Sequence, residues 1–470
     1  MAFRKHDGGG NGDDDKSKNP KTCPLQAAFG ILNKYGVQPK KNMRRGQVSE
    51  ARLGPVNSRD LRPETIVKMA KMKTNDEKNS SSLSPENIND ISLARSLLSA
   101  AEMFDDRHFD GAKTLLRNCI LQSSLTGNSV TRVVRLFAEA LTERIDVEMG
   151  KIDLGRIPLD IEESLIKYQN AIVVTGQRIP SAQVTQFAAI QTILDHVATA
   201  KKIHLLEFGI NYYGFPVSIM IQGLANRKDL RVELLAVSTV GTSTDRLRET
   251  GERLATFAKS MNVPFLFKSV VSETELTVDS FDFQPDEAVI VYLGLHLWSL
   301  LASPNHLQSF LHFVKKVNPR LIIVNELETS TNTPIYGDRF HEALVFFLAI
   351  FDCLDGCLKG DHVSRKAMEE VFYRDMIRNI VVAEDEERTH RHEKIAFWRR
   401  LFSEFDIVEV ELSDSSLYQA SLLIKGNQDW KDSCTLKMDR ESLIVEWKGT
   451  SIQSISAWKI VDGRGRTDHN

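Results

Sequence analysis

The chain is predicted to fold as α/β: a mostly parallel sheet with antiparallel C-terminal strands, joined to an α-helical cap. Three features of its 470 residues predict this. From about residue 201, short apolar runs alternate with segments long enough for crossover helices, as βαβ units require. After about residue 405 the runs crowd together, as antiparallel strands do. Before residue 200 the apolar residues recur only at helical spacing.

Residues 1–85 are expected to be a largely disordered, basic N-terminal extension. GGGNGDDDKSKNP and NDEKNSSSLSPEN are too poor in large apolar side chains to offset the entropy of ordering. The patch Leu25–Gly36 has the makings of only a marginal helix, because its glycines weaken it. Ser84-Pro85-Glu86 reads as a helix start, with proline in the first turn. Leu93, Leu97, Leu98 and Ala101 then share a helix face, as do Ala112, Leu115, Leu116 and Cys119. Val130, Val133, Val134, Phe137, Ala138 and Leu141 repeat the pattern, and Ser181–Val197 adds a further helix. No heptad lasts three or four repeats, so helices packed on a neighbouring unit are favoured over a coiled coil. This assigns 86–200 to a mainly helical cap and 201–465 to an α/β core.

In the core, parallel strands are predicted at Ile203–Phe208, Val232–Val237, Pro264–Val270, Ala288–Leu293 and Leu321–Val324. Helices are predicted at Pro216–Asn226, Asp245–Ser260 and His306–Lys316. The antiparallel set is predicted at Asp406–Leu412, Tyr418–Ile424, Leu443–Trp447 and Ile455–Ile460. A parallel sheet capped by antiparallel strands is the plan of class I methyltransferases.

Composition narrows the class. Hydrophobic residues make up 42% and charged ones 26%, ordinary for a globular protein. Five scattered cysteines argue against a disulfide framework and for a reducing compartment. The longest apolar run, Ala343–Phe351, is nine residues, well short of the ~20 of a membrane span. The N-terminus has no apolar stretch of the secretory kind. Net charge is −3, unevenly spread: residues 1–80 hold 17 basic and 9 acidic groups (+8), the rest 43 and 54 (−11). A basic tail suits anionic partners or an import receptor, and Lys40, Lys41, Arg44 and Arg45 form a candidate import signal. The acidic body is unlike a surface that coats DNA non-specifically.

Five blocks follow one another between Leu93 and Ile460. They are the leucine-rich Leu93–Asn118, IHLLEFG (Ile203–Gly209), the leucine-rich Glu249–Phe267, a long block from Pro334 to Phe402, and SISAWK (Ser454–Lys459). Their order resembles the GRAS family of plant transcriptional regulators, with two leucine-rich regions and VHIID, PFYRE and SAW blocks. His204 and Glu207 match the second and fifth VHIID positions, with Glu in place of Asp. Pro334, Arg339 and Phe340 match the early PFYRE block; Arg391-His392-Glu393 and Trp398-Arg399 match its later part. Ser456-Ala457-Trp458 matches SAW, while Ala383-Glu384-Asp385 departs from the usual Cys-Glu-Gly. The resemblance implies a methyltransferase-like Rossmann core with a helical cap, in a SCARECROW-like, non-enzymatic, nuclear protein of plants. It implies work through other transcription factors, including GRAS homo- or heterodimers, with DNA reached through partners, no membrane and no cofactor. Residues 1–85 hold no DELLA-like or TVHYNP-like block, so the gibberellin-repressor branch is not expected.

Two alternatives stay open: an S-adenosylmethionine-dependent methyltransferase on the same core, and a dimer that reads DNA directly. Against the first, the turn after strand one reads Glu207-Phe208-Gly209-Ile210-Asn211-Tyr212-Tyr213-Gly214, with one glycine where G-x-G is expected. The second strand ends Ala236-Val237-Ser238-Thr239, without the carboxylate that takes ribose hydroxyls. His204 is expected to be a satisfied core histidine. Cys353 and Cys357 lie at i, i+4, but zinc needs two more ligands, so buried thiols are expected. His390 and His392 are expected on a surface helix rather than a metal site. Glu384–Glu387 followed by Arg388, Arg391, Lys394, Arg399 and Arg400 suits a helix with acids first, with Glu387 paired to Arg391. Ile395, Trp398, Leu401, Phe402 and Phe405 form one apolar face, and Trp447 and Trp458 are expected to bury area on adjoining strands. A DNA-facing groove would have to gather bases locally around Arg388, Arg391, Arg399 and Arg400.

Overall fold

A computed structural model describes residues 61–72, 83–153, 169–209, 214–227, 231–241, 244–270 and 276–461. Lys40, Lys41, Arg44, Arg45, the Leu25–Gly36 patch and the turn residues Asn211, Tyr212 and Tyr213 lie outside them.

One sheet organises the molecule, in the order β3-β2-β1-β4-β5-β9-β8-β7, with β6 also paired to β9. The parallel half comprises β1 (Lys202–Gly209), β2 (Leu234–Val240), β3 (Phe265–Val270), β4 (Glu287–Gly294) and β5 (Leu321–Leu327). The antiparallel half comprises β6 (Ile407–Val410), β7 (Cys434–Asp439), β8 (Ser442–Trp447) and β9 (Thr450–Ile460). This is the predicted plan. Burial on both faces explains the near-continuous apolar runs of β1 and β5. Alternate residues serve two cores: Ile203 and Leu205 one face, Leu206 and Phe208 the other.

The N-terminal helices are α1 (Pro63–Lys71), α2 (Pro85–Asp105), α3 (Phe109–Gln122), α4 (Ser129–Glu148), α5 (Gln169–Arg178) and α6 (Pro180–His196). Ser84 caps α2 by accepting from the Asn87 N–H at 3.2 Å, as its sequence signalled. Helix α1 departs from the expectation of a largely disordered extension. Its Ile66, Val67 and Ala70 are buried, and Arg95 of α2 donates to its terminal carbonyls at Met69 and Ala70, both at 3.3 Å.

Core helices α7 (Phe215–Ala225) and α8 (Thr244–Ser260) connect the first strands; α9 (Leu297–Leu300) and α10 (Pro304–Val317) cross between β4 and β5 on the opposite face. After β5 come α11 (Tyr336–Cys357), α12 (His362–Ala367), a π-helical stretch Met368–Tyr373, and α13 (Arg374–Val382). These helices pack on the cap, so the helical layer is not confined to residues before 200. Phe340 meets Phe137 edge-on at 5.2 Å, and Arg378 grips Glu143 through three hydrogen bonds, two from Nε at 3.0 and 2.9 Å and one from Nη2 at 2.5 Å.

Two strand assignments need correction. Tyr418–Ile424 lies inside helix α15 (Asp414–Gly426), not a strand. Ser413 caps it at 3.2 Å, and Leu417, Ala420, Leu423 and Ile424 form its buried face at helical spacing. The fourth late strand is instead β7, which pairs with β8 from Cys434↔Trp447 to Asp439↔Ser442.

Candidate functional site

In this fold a ligand sits over the C-terminal ends of the parallel strands. At the end of β1, Gly209 has φ +122°, and a Cβ there would lie 2.0 Å from the carbonyl oxygen of Gly294. Its glycine is therefore required by the close pairing of β1 with β4. At the end of β2, Ser238 Oγ lies 2.8 Å from His204 Nε2, while His204 Nδ1 lies 3.0 Å from Glu287 Oε2. Burial holds His204 below its ordinary pKa. Thr239 donates to Glu207 at 3.1 Å. The strand runs on to Val240 without a carboxylate, and the next acid, Asp245, stands exposed at the start of α8. These residues do not fit an S-adenosylmethionine pocket: the groups at the ribose position are turned into the sheet and bonded to one another.

Cys353 and Cys357 are buried thiols 3.9 Å apart, and burial raises the Cys353 pKa. Among the described residues no cluster of His, Cys, Asp or Glu has a metal-holding arrangement.

The densest polar constellation lies where β5, the start of α11, the end of α13 and the segment 384–394 meet. Arg339 is fully buried; its Nε donates to Ile380 O at 3.1 Å, Nη2 to Glu384 at 2.6 Å and Nη1 to Thr333 O at 3.4 Å. Pro334 makes the exposed bend before α11, and Phe340 points into the cap. Arg388 donates to Thr331 O at 2.7 Å. Burial, then the neighbouring Arg339 and Arg391, push the Arg388 pKa down to about 10.

The expectation of an acid-first helix pairing Glu387 with Arg391 is corrected here. Asp385–Glu387 is a single 3₁₀ turn, and regular helix begins only at α14 (Ile395–Ser403). Arg391 donates instead to Arg388 O at 2.8 Å and to Asp385 O, since without a helix here the two residues are not set one turn apart on a shared face.

His390 and His392 are also corrected: they are buried and irregular, not on a surface helix. Trp298 stacks on His390 at 4.7 Å and lies 5.5 Å from His392. Backbone bonds pin the pair: His390 N–H to Asn379 Oδ1 at 2.8 Å, His392 N–H to Thr331 Oγ1 at 3.0 Å. Burial pushes their pKa values down to about 4 and about 3. The run looked solvated because it is rich in charge, yet Arg388 and Arg391 donate to backbone carbonyls and the two histidines are buried.

Nearby, buried Glu326 accepts from the Leu297 N–H at 2.7 Å, and burial pushes its pKa up to about 8. Glu393 accepts from Ser330 Oγ at 2.8 Å, and its carbonyl from Trp398 Nε1 at 3.1 Å. Arg399 pairs with Glu409 at 2.7 Å and Asp439 at 3.1 Å. Phe402 meets Trp458 edge-on at 4.9 Å; Trp458 Nε1 donates to Ser456 Oγ at 2.8 Å, and Ala457 is buried in β9. Trp447 faces the opposite core, donating to Asp352 at 2.6 Å. Of the four arginines expected to gather at a DNA-facing groove, Arg388, Arg391 and Arg399 bond to partners within the protein, while Arg400 is exposed on α14. Sequence reasoning missed Trp298, Thr331, Asn379 and Asp352, which carry no local pattern and matter only through contacts distant in the chain.

The GRAS domain family model matches residues 93–459. DELLA protein RGL1 of Arabidopsis thaliana is 28% identical over 373 residues, 79% of this chain and 70% of that protein. DELLA protein 1 of Medicago truncatula is 27% identical over 391 residues, 79% of this chain and 63% of that protein. The chain therefore spans about two thirds of the length of these curated relatives. The crystal structure of SCL7 in Oryza sativa superposes with a TM-score of 0.69 at 26% identity, over 78% of this chain and 99% of that one. With the match running from α2 to Lys459 in β9, the chain belongs to the GRAS domain family, a family of plant regulators of transcription.

Proposed function

We propose that this chain is a nuclear regulator of transcription that acts without catalysis, by contacting DNA-binding partners and other GRAS proteins. Family membership supports regulation of transcription. The observation that carries the finer reading is the inward commitment of the motif side chains. Arg388, Arg391 and Arg399 bond to carbonyls and carboxylates, and Ser238 to His204, so neither a phosphate-binding face nor a cofactor site is built from them. A protein so arranged takes its DNA specificity from a partner that touches base edges. The basic extension supplies the import signal. Affinity purification of the full chain from plant nuclei tests this, with recovery of DNA-binding proteins expected. Recovery of none, together with methyl transfer to a nuclear substrate, would replace this reading with the enzymatic one.

A further inference from the structure

The sheet order β3-β2-β1-β4-β5 reverses between β1 and β4, and in such folds ligands bind at that switch, beyond the carboxyl ends of the strands. A cleft of about 230 Å³ lies there, on the face away from the cap helices, between the ends of β1 and β4 and helix α10. Phe208, Phe310 and Phe313 wall it, and Ser299, Ser303 and His306 stand at its mouth. Its lining contains no Asp, Glu, Lys or Arg.

His296 is the side chain that points to a ligand. It is only 6% exposed, its ring packed against Phe208 at 5.4 Å and Phe310 at 5.3 Å. Neither ring nitrogen has a hydrogen-bond partner among the described residues, and neither is enclosed as both nitrogens of His392 are; the ring opens onto the cleft. Burial pushes its pKa down to about 4, so at neutral pH it holds one N–H donor and one bare acceptor nitrogen. A buried polar group without a partner is uncommon and costs stability. The backbone on either side is fixed. Glu326 accepts from the Leu297 N–H at 2.7 Å, and Leu295 is held at φ +54°, a strained conformation of the kind that gathers at ligand sites.

Size and charge select the occupant. The cleft offers no carboxylate to a cation and no lysine or arginine to an anion. Nor does the start of α10 cradle an anion: Pro304 has no N–H, and the His306 and Leu307 N–H groups already donate to Ser303 O at 2.9 and 3.1 Å. An apolar cavity of about 150 Å³ holds benzene, so this one admits a ring with a few further atoms. We propose that the cleft binds a small uncharged aromatic compound of about six to ten non-hydrogen atoms, hydrogen-bonded through a hydroxyl or amide to the His296 ring. The phenylalanine walls take its apolar body. Ser303, whose hydroxyl makes no cap bond to α10, is the second polar group within the cleft. The proposal stands whether or not the chain regulates transcription.

Phenol and fluorobenzene, equal in non-hydrogen atoms and differing in the hydroxyl, are the probes. Each is titrated onto the full chain by ligand-observed NMR, with Tm followed in parallel. Phenol is expected to saturate with a Kd of about 1 mM or tighter and to raise Tm, with fluorobenzene roughly tenfold weaker. His296→Phe removes the ring nitrogens and keeps a ring of similar shape. Phenol should then fall roughly tenfold, to the level of fluorobenzene, whose own binding stays within about twofold. Ser303→Leu closes the mouth and should weaken both probes roughly tenfold or more; it decides if His296→Phe disturbs the fold. No saturation by phenol below about 10 mM, equal binding of the two probes by wild type, a phenol preference that survives His296→Phe, or probes indifferent to Ser303→Leu overturns the proposal.

Discussion

Trp398 and Trp458 are each about 1% exposed and meet through Phe402, so the later PFYRE block and the SAW block share one core. Truncating a buried aromatic typically costs about 3–5 kcal/mol, a large part of a total of about 5–15. Trp398→Ala and Trp458→Ala are each expected to lower stability by about that much in denaturant titrations. A variant that melts like wild type yet loses partners would instead mark its tryptophan as a contact residue. The buried histidines give a second test. Their folded pKa values, about 4 and about 3, lie below the ordinary 6.5. Between those limits the unfolded chain binds more protons, so their contribution is full above pH 6.5 and is lost as pH falls, by about 1.4 kcal/mol per pH unit each. Glu326, raised to about 8, acts oppositely, losing its contribution as pH rises from 4.5 towards 8. The difference between wild type and His390→Phe/His392→Phe isolates the histidines. The variant's stability-versus-pH curve should be flatter than that of wild type below pH 6.5, and an unchanged slope would mean the histidines titrate normally.

Cap and core are joined at the level of elements by charge as well as by apolar packing. Arg132 of α4, 2% exposed, donates to Glu369 at 3.0 Å and Asp355 at 2.8 Å. Breaking a buried pair strands the remaining charge, so Arg132→Leu is expected to cost about 3–5 kcal/mol. Adding Glu369→Leu should recover part of that loss, and a double variant worse than the single would show that the pair is not the source. How much was legible follows the reach of each signal. The parallel strands and cap helices showed in the sequence because their apolar periods are local. The α15 segment misled because LYQASLLI is apolar enough for a buried strand, while its 3.6-residue spacing and Ser413 cap identify a helix. Strand β7 passed unseen because CTLKMD buries its side chains only through β8. The arginine junction was illegible in kind: Arg388 and Thr331 lie 57 positions apart, and only the fold brings the cation to the carbonyl.

The whole chain combines a basic extension with an acidic body, +8 against −11. Replacing Lys40, Lys41, Arg44 and Arg45 with alanine in a full-length reporter fusion is expected to weaken nuclear accumulation and leave Tm unchanged, because a segment as rich in charge as KKNMRR offers little apolar surface to a core. Full accumulation by the variant would assign import to another segment. The body's charge also governs its meeting with DNA. Non-specific contacts alone should be weak and fall steeply with salt, whereas a sequence preference requires side chains at base edges. The most direct measurement is a selection from random duplexes at physiological salt, using the purified body alone and then with a DNA-binding partner recovered from nuclei. The account predicts no enriched motif for the body alone and, with the partner present, the partner's own motif. A reproducible motif enriched by the body alone would contradict it.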